Sequence, residues 1–163
     1  MLLIIFASFF LIVLMYYILF MDTLSKKKVM DLTNDWIDDV TVKHDADAAA
    51  DRFADDGSLF ATVSPALRKG CDIVEYFNFF VNVPGIKVLH REYNISKVSN
   101  GVWLNSAFVT WKWDGLDEDG LVARMSFLYR NNKIFQLHSS LSPDGHPALY
   151  PPEYHPEDPD IQV

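Results

Sequence analysis

The spacing of apolar residues changes character several times along this chain. From Met1 to Met21 it is unbroken: no charge interrupts it, and almost nothing polar beyond Ser8. About 20 apolar residues are enough for a helix to cross a bilayer, so residues 1–21 are expected to form a transmembrane anchor. A cleavable signal peptide is the competing reading. The absence of a basic residue before the run, its length and the lack of a small-residue cleavage site oppose it. Val29 to Val40 then takes a helical period, with Val29, Leu32, Trp36, Ile37 and Val40 on one face and Asp31, Asn34, Asp35 and Asp38 on the other. His44 and Asp45 open a second helix, with Asp45 as its cap or first-turn anion. Ala46, Ala48, Ala49, Ala50, Phe53 and Ala54 give that helix a small-residue face. Asp55, Asp56 and Gly57 read as a turn, Ser58 to Val63 as a short strand, and the chain through Pro65 as a loop. Lys69 to Val81 predicts a third helix with Ile73, Tyr76, Phe77 and Phe80 as its apolar stripe, ended by Pro84 and Gly85.

Beyond Gly85 the period becomes two. Ile86 to Val98, Val102 to Trp113, Leu121 to Arg130 and Lys133 to Leu141 read as four strands. Asn100 and Gly101, the loop from Asp114 to Gly120, and Asn131 and Asn132 join them as hairpins. Helices followed by an antiparallel meander predict an α+β fold, with the helices packed on one face of a curved sheet. In the second of these strands both parities are apolar: Val102, Leu104 and Phe108 on one, Trp103, Ala107, Val109, Trp111 and Trp113 on the other. Helices can cover one face; the other calls for a second copy of the chain, giving a homodimer or larger ring through the sheet. In the last strand Gln136, His138 and Ser140 share one face, and Phe135, Leu137, Ser139 and Leu141 the other. The polar row is either a solvated surface or one wall of a pocket.

Composition narrows the picture. The chain has 163 residues and a formal net charge of −8, which suits a single domain and argues against nucleic acid as a partner. Lys26, Lys27 and Lys28 follow the apolar run, so the domain is expected on the cytoplasmic side of a membrane, its lysines near anionic headgroups. The single cysteine, Cys71, allows no intramolecular disulfide and is expected as a small buried helix residue. Residues 144–163 are rich in proline and carry Glu153, Glu157, Asp158 and Asp160, so they form an extended tail. The expected organisation is an anchor over residues 1–21, a basic juxtamembrane linker over 22–28, a folded domain over 29–143 and an acidic tail over 144–163.

Five histidines invite a metal, but His44, His90 and His138 fall in different elements and no H-x-H or H-E-x-x-H spacing occurs, so neither a metal nor another cofactor is expected. Isomerase or polyketide-cyclase chemistry needs a carboxylate on the sheet. None lies between Gly101 and Trp113 or between Gly120 and Pro143. Asp38, Asp45, Glu75 and Glu92 remain, as solvated or capping residues. Hydroxyls are the surviving chemistry: Thr62, Ser64, Tyr76, Ser126, Ser139 and Ser140. Arg124 shares a parity with Ser126 and can meet the row of Gln136, His138 and Ser140 across a hairpin. An arginine beside hydroxyls and a histidine suits a small anion such as bicarbonate or another carboxylate; a surface arginine among surface serines is the plainer alternative.

The element order resembles the nuclear-transport-factor-2-like superfamily, whose fold is a cone-shaped α+β sheet and helix layer. FADDGSLFATVSPALRKG followed by IVEYFNFF, then ARMSFLYR, then HSSLSP together resemble the association domain of calcium/calmodulin-dependent protein kinase II and its stand-alone relatives. The ending is most similar to iota-class carbonic anhydrases, whose last strand carries a histidine run, two serines and a proline. The match spans about Asp31 to Pro143. It implies reversible hydration of carbon dioxide, metal-free in some members, with a threonine, a tyrosine and a serine lining the site. By motif these fall on Thr62, Tyr76 and Ser140, with His138 as the last histidine of the run; strand parity places Ser140 beside His138, and Ser139 is the other choice. Where the family has further histidines this chain has Gln136 and Leu137. The assignment is then Thr62, Tyr76, His138 and Ser140 as catalytic, His138 relaying the proton, with Arg124, Ser126 and Ser139 as substrate-binding. The alternative implied by the same resemblance is a non-catalytic association or small-carboxylate-binding module; no kinase sequence is present.

Overall fold

The computed structural model describes residues 24–62, 64 and 66–141. The expected anchor and acidic tail lie outside the described residues. Among those, no helix is long and apolar enough to cross a membrane.

Helix α1 spans Lys26–Thr41 and buries the predicted stripe, Val29, Leu32, Trp36, Ile37 and Val40. Ser25 caps it, its hydroxyl accepting from the Lys28 amide at 3.2 Å, so the three lysines form the first helical turn. Two polar residues on the buried face tie the helix down. The Thr33 hydroxyl donates to the Val29 carbonyl and accepts from the Tyr129 hydroxyl and the Asn105 amide, each at 2.9 Å. Asp39, wholly buried, accepts from Lys43 at 2.6 Å and from Arg52 Nε at 2.7 Å. Arg52 lies just after helix α2, Ala46–Asp51, so the Asp39–Arg52 pair holds the chain where it leaves the helices for the sheet.

Asp45 caps α2 as expected, accepting from the Ala48 amide at 2.8 Å. The helix is shorter than the alanine face suggests. Phe53 and Ala54 belong to strand β1, Phe53–Phe60, and Asp55, Asp56 and Gly57, expected as a turn, run inside that strand. The β1 register against its neighbour slips between Phe53 and Ser58, so these residues form a bulge. Gly57 sits at the closest approach: a Cβ there would lie 2.7 Å from the Ala54 carbonyl oxygen and 3.0 Å from that of Ile134. The turn-like composition thus marks a bulge that lets backbone meet backbone. Strand β2, Leu67–Lys69, takes the residues just before helix α3, Cys71–Phe80. Cys71, expected buried, is the exposed first residue of α3.

Strands β3 (Lys87–Ser99), β4 (Val102–Lys112), β5 (Leu121–Arg130) and β6 (Lys133–Leu141) follow as predicted. Gly101 and the Asn131–Asn132 pair supply the positive φ angles that tight hairpins need. The six strands form one curved, unclosed sheet in the order β2-β1-β6-β5-β4-β3. β6 closes the meander but lies inside the sheet, antiparallel to β5 and parallel to β1. The sheet is therefore mixed, and the helices cover one face. On that inner face Leu59, Val109, Trp111, Met125, Phe127 and Leu137 are buried. The outer face shows Phe60 and Phe108, 41% and 46% exposed.

Replacing Asp39 by alanine leaves Arg52 without its inner partner. Because both cations are partly in solvent, the expected loss is about 2–3 kcal/mol. It would be read as a lower urea midpoint with an unchanged slope; an unchanged midpoint would show that the pair does not hold the helix–sheet joint.

Candidate functional site

A narrow cavity of about 30 Å³ lies between α1, α3 and the inner face of the sheet. One buried water needs about 10–15 Å³, so the space suits a small molecule. Its walls are mostly apolar, with aromatic rings from three elements: Trp36 from α1, Tyr76, Phe77 and Phe80 from α3, and Trp111 from β4. Tyr76 and Phe80 stack with centroids 5.5 Å apart, and Phe80 meets Trp111 edge to face at 5.4 Å. Two polar side chains enter this wall from the sheet side. Thr62, just beyond β1, and Ser139 of β6 are hydrogen-bonded hydroxyl to hydroxyl. The parallel pairing of β1 with β6 sets Phe60, the last residue of β1, beside His138, so the chain leaving β1 runs past Ser139. The pair uses one hydroxyl hydrogen and leaves the other free.

Tyr76 is the third hydroxyl. It has no hydrogen-bond partner among the described residues, and burial pushes its ionisation well above the usual phenol value, an effect the nearby Arg68 only partly opposes. The phenol thus remains a donor. Arg68, on β2, holds its guanidinium 5.4 Å from the centroid of the Tyr76 ring and donates from Nε to Ser64 Oγ at 3.2 Å. Trp36 adds one more donor. Its indole N–H is buried with no partner, an arrangement that costs about 1–3 kcal/mol unless an acceptor is supplied. Among the described residues no acidic side chain lines the cavity, and no three His, Cys, Asp or Glu side chains gather closely enough to hold a metal ion.

The structure divides the expected site residues between two faces. Thr62, Tyr76 and Ser139 meet in the cavity. Ser140, His138, Arg124 and Ser126 do not: they share the outer face, where Arg124 pairs with Ser140 and Ser126 with His138 across the β5–β6 ladder. The rows meet as parity predicted, but on the uncovered side of the sheet. Arg124 is exposed and lies 5.9 Å from the Phe108 ring centroid; His138 is exposed and packs edge-on to Phe60 at 6.0 Å. The reason is Leu137. Its apolar side chain seeks the helices, is buried against them and carries Ser139 inward by the two-residue period. That signal was available in the alternation itself. The sequence places Trp36 on the apolar stripe of α1, with no sign of an unpaired N–H, whereas Arg68 could be found from its place in the motif SPALRKG.

No family model matches this chain, and no curated protein does. Solved structures do. A Xanthomonas campestris protein named as a candidate calcium/calmodulin-dependent protein kinase II association domain is 25% identical, with a TM-score of 0.57 over 74% of this chain and 89% of that one. A candidate dehydratase of the nuclear-transport-factor-2-like family from Streptomyces avermitilis is 12% identical, with a TM-score of 0.61 over 71% and 94%. A protein of unknown function with a cystatin-like fold from Nostoc punctiforme is 17% identical, with a TM-score of 0.60 over 72% and 91%. The chain has the nuclear-transport-factor-2-like fold. At these identities the likeness carries architecture, the helix layer over a curved sheet.

Burial raises the ionisation of Tyr129 in the same direction as that of Tyr76. Unfolded, both phenols would titrate near their ordinary value of 10.0. Folding therefore favours the protonated forms, and stability is fully present below that pH and falls as pH rises above it. The drop in stability between neutral and alkaline solution should be smaller in Tyr76→Phe and in Tyr129→Phe, measured by urea unfolding at matched ionic strength. Equal drops in wild type and both variants would contradict it.

Proposed function

We propose that the cavity binds carbon dioxide and catalyses its hydration to bicarbonate without a metal, in the manner of iota-class carbonic anhydrases. The observation that carries this reading is the meeting of Thr62 with Ser139, 77 positions apart in sequence, beside Tyr76 in an aromatic pocket. These are the residue types the family resemblance calls for, with Ser139 in place of Ser140. Carbon dioxide is apolar overall and suits the aromatic walls. The Thr62–Ser139 pair orients the attacking water, and the protonated phenol of Tyr76 donates to the oxygen on which negative charge develops. Water adds to carbon, yielding bicarbonate and a proton. The proton passes to solvent water, because His138 lies on the other face of the sheet. Arg68 offers the departing anion a cation beside Tyr76. Neutral hydroxyls cannot bring the pKa of water down to about 7 as a bound zinc ion does, so the rate should climb with hydroxide concentration instead of levelling off near neutrality. In this reading residues 1–21 anchor the domain at the cytoplasmic face of a membrane.

Stopped-flow hydration assays on the full chain in detergent check the proposal, with and without chelator. Ser139→Ala and Thr62→Ala are each expected to lower the rate at least tenfold, an effect of the size seen when one positioned hydrogen-bond donor is lost, while Ser140→Ala leaves it unchanged. A wild-type rate no higher than buffer would sink the catalytic reading.

A second reading concerns the outer face, and it is favoured by the two exposed rings, Phe60 and Phe108, flanking His138 and Arg124. We propose that a second copy of the chain covers it. Phe108 lies opposite Glu92 on β3 and Arg124 on β5, so a two-fold pairing can set the Arg124 of one copy against the Glu92 of the other. Phe108→Asp should then reduce the mass of the detergent-solubilised particle measured by light scattering. An assembly indifferent to that change would mean that the copies meet elsewhere, or not at all.

A further inference from the structure

One polar group at the cavity can only donate, and nothing among the described residues is there to receive it. Trp36 is 2% exposed, lines the cavity and carries an indole N–H with no partner; an indole can only donate. Of the three buried side-chain polar atoms without a partner among the described residues, the Trp36 indole nitrogen alone belongs to a residue bordering this cavity; the other two are the side-chain oxygens of Asn105 and Asn132. The Tyr76 hydroxyl has its hydrogen to give, and the Thr62–Ser139 pair has one hydrogen to spare. Arg68 adds positive charge over the Tyr76 ring. Among the described residues no carboxylate lines the wall to balance these donors. Buried donors are normally matched by acceptors, and here the space to hold one is the cavity itself.

We propose that the Trp36 indole N–H is a direct hydrogen-bond donor to the cavity's ligand, and that the cavity selects small molecules presenting two acceptor oxygens, of formate or bicarbonate size, over cations of the same size. The proposal rests on the reading of this cavity as a ligand site, but it does not require that the ligand be turned over. It gives Trp36 a role besides packing: the indole that fills the space between helices and sheet also supplies the donor that a ligand oxygen completes.

The test is titration of the uniformly ¹⁵N-labelled full chain in detergent micelles, following the indole N–H signals of its four tryptophans. Sodium formate and sodium bicarbonate are the probes, with methylammonium chloride as the cation of matching size. The Trp36 signal is identified by its loss in Trp36→Phe or, if that variant does not fold, by its through-space contacts with the Phe127 ring, which it meets at 5.3 Å. Formate should move the Trp36 signal downfield in a saturable way. Trp36→Phe, or Ser139→Ala where the first variant fails, should weaken binding about tenfold, as expected for one hydrogen bond to a charged group. If formate moves Trp111 and Trp113 but leaves Trp36 in place, the N–H is satisfied by a neighbouring ring and the inference fails while the cavity remains a ligand site. If methylammonium moves Trp36 and the anions do not, the selectivity is overturned. If no probe moves any indole signal, both the inference and the ligand-site reading fall. A Trp36 response to formate with no hydration activity would retain the inference and remove the catalytic proposal.

Discussion

The indole of Trp36 joins the two layers of this protein. It meets Phe77 of α3, Trp111 of β4 and Phe127 of β5 edge to face, at centroid distances of 5.9, 6.3 and 5.3 Å. Edge-to-face pairs of this kind contribute about 0.5–1.5 kcal/mol each beyond the area they bury. Three of them converge on one side chain, so the position of α1 over the sheet is set by aromatic geometry as much as by burial. The same convergence defines the cavity. Large planar rings meeting at steep angles leave an unfilled wedge, and the wedge here is bounded by Trp36, Phe77 and Trp111.

Polar contacts decide how α1 lies on that aromatic seat. Thr33 accepts from Tyr129 and Asn105, and Asp39 accepts from Arg52, so the helix is tied to β4, to β5 and to the start of β1 at separate points. A helix held only by apolar contacts could roll toward the sheet and fill the wedge. Directional hydrogen bonds resist that, because leaving any of these buried groups unpaired is costly. Thr62 and Ser139 reach the cavity by the parallel β1–β6 pairing, which sets side by side two segments far apart in the chain.

Strand β6 has two chemical faces with different neighbours. Leu137 and Ser139 look toward the helices, while Gln136, His138 and Ser140 lie on the side carrying Phe60, Phe108 and Arg124. A run of polar residues on a strand attracts attention as a site, yet the covered face of a sheet is the one its apolar residues choose. Ser139 is therefore the serine with a sheltered environment, and the more conspicuous His138 is a neighbour of exposed rings. Between Ile134 and Leu137 the alternation breaks, since both are buried, and the ladder shifts its register there; Phe135 is the extra residue, its ring under Arg130 at 4.2 Å.

Much of the fold was legible in the residues themselves. The stripe of α1, the caps at Asp45 and at the hairpins, the four long strands and the opposition of the two β6 rows all follow from periodicity and local backbone preference, which act between residues close in sequence. Thr62 and Tyr76 could be singled out by residue type and motif. Tertiary structure decided what those local rules leave open. It turned an alanine-rich helix end and the Asp55–Gly57 turn signal into a bulged strand, because pairing with β6 outweighs local preference. It placed β6 inside the sheet and chose Ser139 over Ser140 for the cavity. Alternation says which side chains share a face, but only the helices, by covering one face and not the other, determine which face is sheltered from water.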